Sequence, residues 1–435
     1  MIGAAFVLLL VMLVLSLPVA AVLALTGYIL SENYAFFPMT GAAGELAWNS
    51  SEDFILIAAP MFIMMGELMH RSGVSGRLFN ALTPWFARLP GRLMHTNIAA
   101  SAVFAATSGS SIATAATIGT VAIPNMDKGG YNRPLFLGSI AAGGTLGILI
   151  PPSINMIIYA VLTDTSVADL YAAGFIPGFL LATLFSGIVL ALVLWRPHWG
   201  GPKVVETSLW PARIKGLPHL LPPLGLFTIV VGSIYAGLAT PTEAAALGLI
   251  ATVLLVALNG KLTLPVLLTA FEGTVRTTCM IMLIVIAAFF LNFVMVSIGL
   301  VGAVTDAVLS LGWPPLGMLL AIVVFYLLLG CFMETLSMMI ATTPIIVPVV
   351  VGLGYSPVWW GVVFVILIEA ALITPPVGMN LYVVQAVRKG GGAFTDLFKG
   401  AAPFLVAMLI MIGLLITFPQ LALWLPTIVN PKTGG

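Results

Sequence analysis

Gly144-Thr145-Leu146-Gly147-Ile148-Leu149-Ile150-Pro151-Pro152-Ser153 is the stretch on which the reading of this chain turns. An apolar segment approaches a Pro-Pro pair, which cannot donate backbone hydrogen bonds and disfavours helix in the residue before it. The spacing therefore predicts a helix broken inside an apolar layer, with carbonyls near 147–150 deprived of their helical donors. The motif recurs as Ala371-Leu372-Ile373-Thr374-Pro375-Pro376. Pro124 and Pro348 stand 348 − 124 = 224 positions apart, and the same shift carries Gly130-Tyr131 to Gly354-Tyr355 and Pro151-Pro152 to Pro375-Pro376. Each half also has a polar tip before its break and an Asn soon after it, Asn155 or Asn380. Repeated broken helices of this kind predict an inverted-repeat secondary transporter.

Composition sets the class. The chain has 435 residues, of which 60% are hydrophobic and 7% charged, against about 25% charged in soluble domains. Mean hydropathy is +1.15. These values exclude a soluble enzyme, a nucleic-acid binder and a disordered chain; the unbroken apolar runs exclude a β-barrel. An all-α polytopic membrane protein remains. Cys279 and Cys331 lie in apolar runs and read as core residues, with neither disulfide nor zinc spacing.

At about 20 apolar residues per span, nine spans are expected: 3–30, 53–70, 134–163, 171–195, 217–238, 242–258, 278–298, 358–387 and 402–425. The first is one span kinked at Pro18 or two shorter helices. Segments 91–126 and 314–348 are interrupted by Thr107-Ser108-Gly109-Ser110-Ser111 and Glu334-Thr335-Leu336-Ser337. Both read as re-entrant hairpins, since irregular backbone at membrane depth must line a cavity or be buried in protein. With both hairpins re-entrant, every Lys and Arg except Lys432 falls on one face, the cytoplasmic one. Glu32, Glu45, Glu52, Asp53, Asp164, Asp169, Glu243 and Asp306 fall on the other. The expected organisation is a first repeat over 1–195, with hairpin 91–126 and broken helix 134–163. A basic loop and connecting helix occupy 196–239. The second repeat covers 240–425, with hairpin 314–348 and broken helix 358–387, and a tail follows over 426–435. Amphipathic segments 72–90 and 299–313 precede the hairpins and suit the membrane interfaces.

Carbonyls at the breaks and oxygens at the tips, from Ser108, Ser110 and Ser111 or from Glu334, Thr335 and Ser337, suit a Na⁺ ion in each half. Helices starting after Ser111, Pro152, Thr335 and Pro376 offer free N–H groups to an anion. No Arg or Lys lies mid-span, so the candidates for holding it are Ser110, Ser111, Thr335, Ser337, Asn155 and Asn380, with Glu334 at the second tip. Glu334 has three readings: Na⁺ ligand, proton carrier or helix cap. Glu369 is a functional or a structural acid. Glu67 and the histidines at 70, 95, 198 and 219 read as groups facing water near the basic loops. No nucleotide-binding motif is present, so an ion gradient is the expected source of work.

Together with Pro60-Met61-Phe62-Ile63-Met64-Met65-Gly66-Glu67-Leu68 and Thr240-Pro241-Thr242-Glu243-Ala244, these motifs resemble the large membrane subunit of tripartite ATP-independent periplasmic (TRAP) transporters. The resemblance implies Na⁺-coupled import of an organic acid across the bacterial inner membrane by an elevator movement. It implies two partners, a small four-helix membrane subunit on a separate chain and a periplasmic substrate-binding protein. It implies one Na⁺ at Ser108, Gly147, Ile150 and Pro152. The repeat offset then nominates Ala371, Thr374 and Pro376, with Thr335, for a second. Rival readings are a stand-alone Na⁺-dicarboxylate symporter and a non-transporting membrane scaffold.

Overall fold

Proline and glycine punctuate the apolar runs, and the helices follow that punctuation. The structure is a computed structural model describing residues 1–15, 17–201, 209–388 and 391–429. It is built of helices, with no strand among the described residues. Pro18 caps the second of two helices, α1 (Ile2–Val14) and α2 (Val19–Tyr34), so 3–30 is two helices. Then come α3 (Ala43–Ser51), α4 (Ala58–Arg71) and α5 (Val74–Phe86). Segment 91–126 is helix–turn–helix, α6 (Leu93–Ser108) and α7 (Ser111–Lys128). Next stand α8 (Arg133–Leu149) and α9 (Ile154–Thr163), bent by 43° across the Pro151-Pro152 break. The 29-residue α10 (Val167–Trp195) completes this half.

The expected connecting helix 217–238 is not one rod. After α11 (Trp210–Gly216) the chain runs through a 3-10 turn at Leu217–His219, α12 (Leu221–Phe227), a π turn at Thr228–Gly232 and α13 (Ser233–Tyr235). The bend between Trp210–His219 and Leu221–Tyr235 is 46°. Pro218, Pro222 and Pro223 supply the reason, each removing a helical donor. The second half holds α14 (Pro241–Leu258), the 34-residue α15 (Leu264–Ser297) and α16 (Leu300–Ser310). The segment 314–348 is again helix–turn–helix, α17 (Pro315–Leu329) and α18 (Thr335–Gly352). The broken helix is α19 (Pro357–Ala371) and α20 (Met379–Val387). The expected span 402–425 divides at Phe418-Pro419 into α21 (Thr395–Thr417) and α22 (Gln420–Val429).

Among the described residues, five helices are long and apolar enough to cross a membrane alone, α10, α14, α15, α18 and α21. Of these, α18 belongs to the expected hairpin 314–348; of the other expected spans, 3–30, 134–163, 217–238 and 358–387 are divided at prolines, and 53–70 is the 14-residue α4. Two packing groups are visible. Helices α2 and α4 lie on α15, and α4 also lies on α14. Helix α8 is enclosed by α6, α7 and α21. From Leu135 to Leu149 every residue of α8 is buried, as is every residue of α19 from Trp359 to Ala371. Helices apolar all round belong inside the protein, so the interrupted helices form its centre.

Some expectations are corrected. Cys279 is exposed and Cys331 half-buried, because their faces of α15 and of the second hairpin turn outward. His95 is buried, its Nε2 2.7 Å from Pro90 O and its Nδ1 3.1 Å from Ser186 Oγ. Those two partners let an imidazole sit inside at little cost. His198 and His219 are exposed. Lys203, Lys389, Lys432 and the tail over 430–435 lie outside the described residues.

Candidate functional site

The first hairpin turn is built by three residues. Helix α6 closes on Gly109, whose φ of +59° is the left-handed conformation that glycine adopts freely. Ser110 is the N-cap of α7, its hydroxyl accepting from Ala113 N at 3.4 Å. Ser108 Oγ meets Thr114 Oγ1 at 2.8 Å, and Thr114 donates to Ser110 O at 2.7 Å. Ser111 donates to Glu369 Oε2 at 2.6 Å. That bond ties the first hairpin to the broken helix of the second half. Glu369 is fully buried and its Oε1 has no hydrogen-bond partner.

The first break lies directly behind this turn. A Cβ on Gly147 would sit 2.6 Å from Ser110 O, so only glycine lets α8 touch the hairpin backbone. A Cβ on Gly109 would stand 3.1 Å from Pro152 O, a looser but still tight approach. The carbonyls of Gly147 and Ile148 would need donors from residues 151 and 152, both proline. Ser108, Gly147, Ile150 and Pro152 are all buried here, among neutral oxygens of the hard type that suits Na⁺. Gly147→Ala is expected to force hairpin and break apart, costing about 1–3 kcal/mol as overpacking against backbone. Thermal unfolding of the purified variant measures it; an unchanged melting temperature would show that the contact yields freely.

The second tip and break are arranged differently. Glu334 is the N-cap of α18: its Oε2 accepts from Ser337 N at 3.0 Å and Ser337 Oγ at 3.1 Å, and its Oε1 from Thr335 Oγ1 at 3.1 Å. Of its three readings, capping is the one seen. At the break, Ala371 O accepts from Thr374 N at 3.2 Å and Leu372 O from Asn380 N at 3.1 Å. Thr374 Oγ1 donates to Ala370 O at 2.6 Å. The oxygens that proline freed in the first half are thus taken by local turns in the second. Ala371 is buried, Thr374 half-buried and Pro376 exposed, whereas Pro152 is buried. The donor set of the first half fits a Na⁺ ion; in the second the carbonyls already have partners.

A cavity of about 470 Å³ lies between the two tips. Ser108, Ser110, Ser111, Asn155, Glu334 and Thr335 line it, with Ile148, Ile154 and Leu372 from the breaks. Asn155 is 3% exposed and its Nδ2 has no partner, a donor left for a ligand. Ser337 and Asn380 are buried away from this cavity, Asn380 Nδ2 donating to Ala141 O at 3.2 Å. Glu67, His70 and Arg71 do line it. Their place at the cytoplasmic end of the expected span, beside the basic loop, suggests groups facing water; the fold instead turns them to the cavity. His70 Nδ1 contacts the Thr117 hydroxyl on α7 and Arg71 pairs with Glu67 at 3.3 Å. The missed signal was the i, i+4 spacing of Glu67 and Arg71, which puts both on one face of α4.

The family described as the tripartite ATP-independent periplasmic transporter, DctM component, matches residues 6–421. The chain belongs to this family. It is 33% identical over 398 residues to the sialic acid TRAP transporter large permease protein SiaM of Vibrio cholerae, covering 90% of this chain and 92% of that one. It is 30% identical to the C4-dicarboxylate TRAP transporter large permease protein DctM of the same organism, covering 98% and 97%. It is 30% identical to the ectoine TRAP transporter large permease protein TeaC of Halomonas elongata, covering 90% and 92%. The crystal structure of the Alcanivorax borkumensis YdaH transporter, described as having an unusual topology, superimposes with a TM-score of 0.61 at 17% identity, covering 89% of each chain. The DctM-family chain is therefore a multi-pass membrane transport protein of the large permease type, not an enzyme.

Proposed function

We propose that this DctM-family chain imports an organic acid with Na⁺ across the bacterial inner membrane. It works with a small four-helix membrane subunit and takes its solute from a periplasmic substrate-binding protein. The carrying observation is the cavity between the two hairpin turns, lined by Ser108, Ser110, Ser111, Thr335 and the unpaired Asn155 Nδ2. Sialic acid, C4-dicarboxylates and ectoine, the solutes in the relatives' names, all carry a carboxylate. Helix N-termini and hydroxyls suit such a group without a buried cation. One Na⁺ is assigned to Ser108, Gly147, Ile150 and Pro152. A second, at Thr335, Ala371, Thr374 and Pro376, requires the local turns at that break to open. Ser337 and Asn380 join the solute site only if the second tip rearranges.

The proposed movement is an elevator. The unit enclosing α8 slides against the α2, α4, α14 and α15 group as the repeats 1–195 and 240–425 exchange orientation. The cavity is lined by the Arg71 end of α4 and by none of the acidic-face residues Glu32, Glu45, Glu52, Asp53, Asp164, Asp169, Glu243 or Asp306, which fits an inward-open state. The family match weighs against the stand-alone symporter and the scaffold.

Vesicles containing both membrane subunits, loaded with and without a Na⁺ gradient and with and without the binding protein, test the proposal. Uptake of radiolabelled succinate or N-acetylneuraminate should require both. Uptake indifferent to Na⁺ would remove the ion sites; full uptake by this chain alone would favour a stand-alone symporter.

A further inference from the structure

We propose that Arg71 forms a second carboxylate subsite at the basic-side mouth of the cavity, where a departing organic acid replaces Glu67 as its partner. The inference rests on the organic-acid reading above and extends it to the exit route. Arg71 is the only Lys or Arg among the described lining residues. Its present partner holds it weakly. The contact runs from one nitrogen, Nη2, to one oxygen, Glu67 Oε2, at 3.3 Å, with the two side chains 34% and 33% exposed. A guanidinium has five N–H donors arranged to grip a carboxylate with two parallel bonds. A single contact at that exposure leaves most of that capacity unused, and an exposed pair of this kind exchanges readily.

The surroundings favour exchange over a fixed bridge. Glu67 lies with its carboxyl against α15 at Gly273. His70, one residue before Arg71, contacts Thr117 on α7, so the end of α4 is tied to the first hairpin beside the cavity. A carboxylate leaving Ser110, Ser111 and Asn155 on the basic side meets Arg71 next. Glu67 then holds the guanidinium when no solute is there and competes with it when one is. The two groups should therefore have opposite effects on carboxylate binding, which a purely structural ion pair would not produce.

The test is titration of the full-length chain in nanodiscs with succinate, and with neutral succinamide as the control, followed by intrinsic fluorescence and thermal shift. Arg71→Gln should weaken succinate binding about fivefold or more, Arg71→Lys less, and Glu67→Gln should tighten it severalfold. Succinamide should respond to none of them. Should Arg71→Gln not fold, Arg71→Lys and Glu67→Gln still decide the question. Equal succinate affinity in wild type and Arg71 variants, or weaker binding in Glu67→Gln, overturns the subsite and leaves the organic-acid reading standing. The wild type is titrated with N-acetylneuraminate as well, and binding of neither acid would instead overturn the organic-acid reading, and the subsite with it.

Discussion

Replacing Pro151 and Pro152 together with alanine is expected to lower Na⁺ affinity roughly a hundredfold. Alanine restores the N–H groups missing at 151 and 152, so Gly147 O is taken into a continued helix α8 and Ile150 O is drawn away from the ion as the 43° bend relaxes. Two contacts to a cation, at about 1.5 kcal/mol each, amount to roughly that factor. The matching change at Pro375 and Pro376 should do less. There Ala371 O and Leu372 O already accept from Thr374 N and Asn380 N, so no free oxygen is lost. Na⁺-dependent succinate uptake in vesicles, compared across both double variants, measures the difference. Equal losses would mean that the two breaks contribute alike; unchanged Na⁺ dependence in the first would show that its carbonyls hold no ion.

The second large effect is expected at Glu369. Glu369→Ala removes the acceptor of Ser111 and leaves a void inside the enclosed helix α19, costing about 2–4 kcal/mol. Glu369→Gln keeps the volume and an accepting oxygen and should cost much less. The bond joins residues 258 positions apart and links the first hairpin to the second repeat. Ser111→Ala combined with Glu369→Ala should then show coupling of about 1–2 kcal/mol in thermal unfolding of the purified chain. Strict additivity of the two single variants would mean that the bond does not hold the halves together.

Much of the architecture was legible because its causes are local. Proline removes a donor wherever it stands, so Pro18, Pro151-Pro152 and Pro375-Pro376 announced the breaks at α1–α2, α8–α9 and α19–α20. Polar tips inside apolar runs announced both helix–turn–helix segments. The bends at Pro218 to Pro223 and at Pro419 obey the same logic but lie inside apolar runs of span length. In such a run length favours one span and proline favours two, and the fold follows the proline.

The site was legible only in part. Ser108, Ser110, Ser111, Asn155, Glu334 and Thr335 were named from sequence, and the fold brings them around one cavity. Asn380 and Ser337 were named on equal grounds, yet their polar atoms turn to Ala141 O and Glu334. A motif states which atoms are available but not which neighbour reaches them first. Repeat symmetry likewise predicted equal breaks, and hydrogen bonding made them unequal.

Hydropathy and missing N–H groups act over a few residues whatever surrounds them, so the chain alone marked the class of protein and the breaks at Pro18, Pro151-Pro152 and Pro375-Pro376, while its ordered motifs carried the resemblance to the family. The fold in three dimensions placed Ser111 against Glu369, Glu334 at the cap of its own helix and Arg71 in the cavity lining. Those outcomes depend on which groups from distant helices meet inside a low-dielectric interior, and residue spacing along one chain does not encode that meeting.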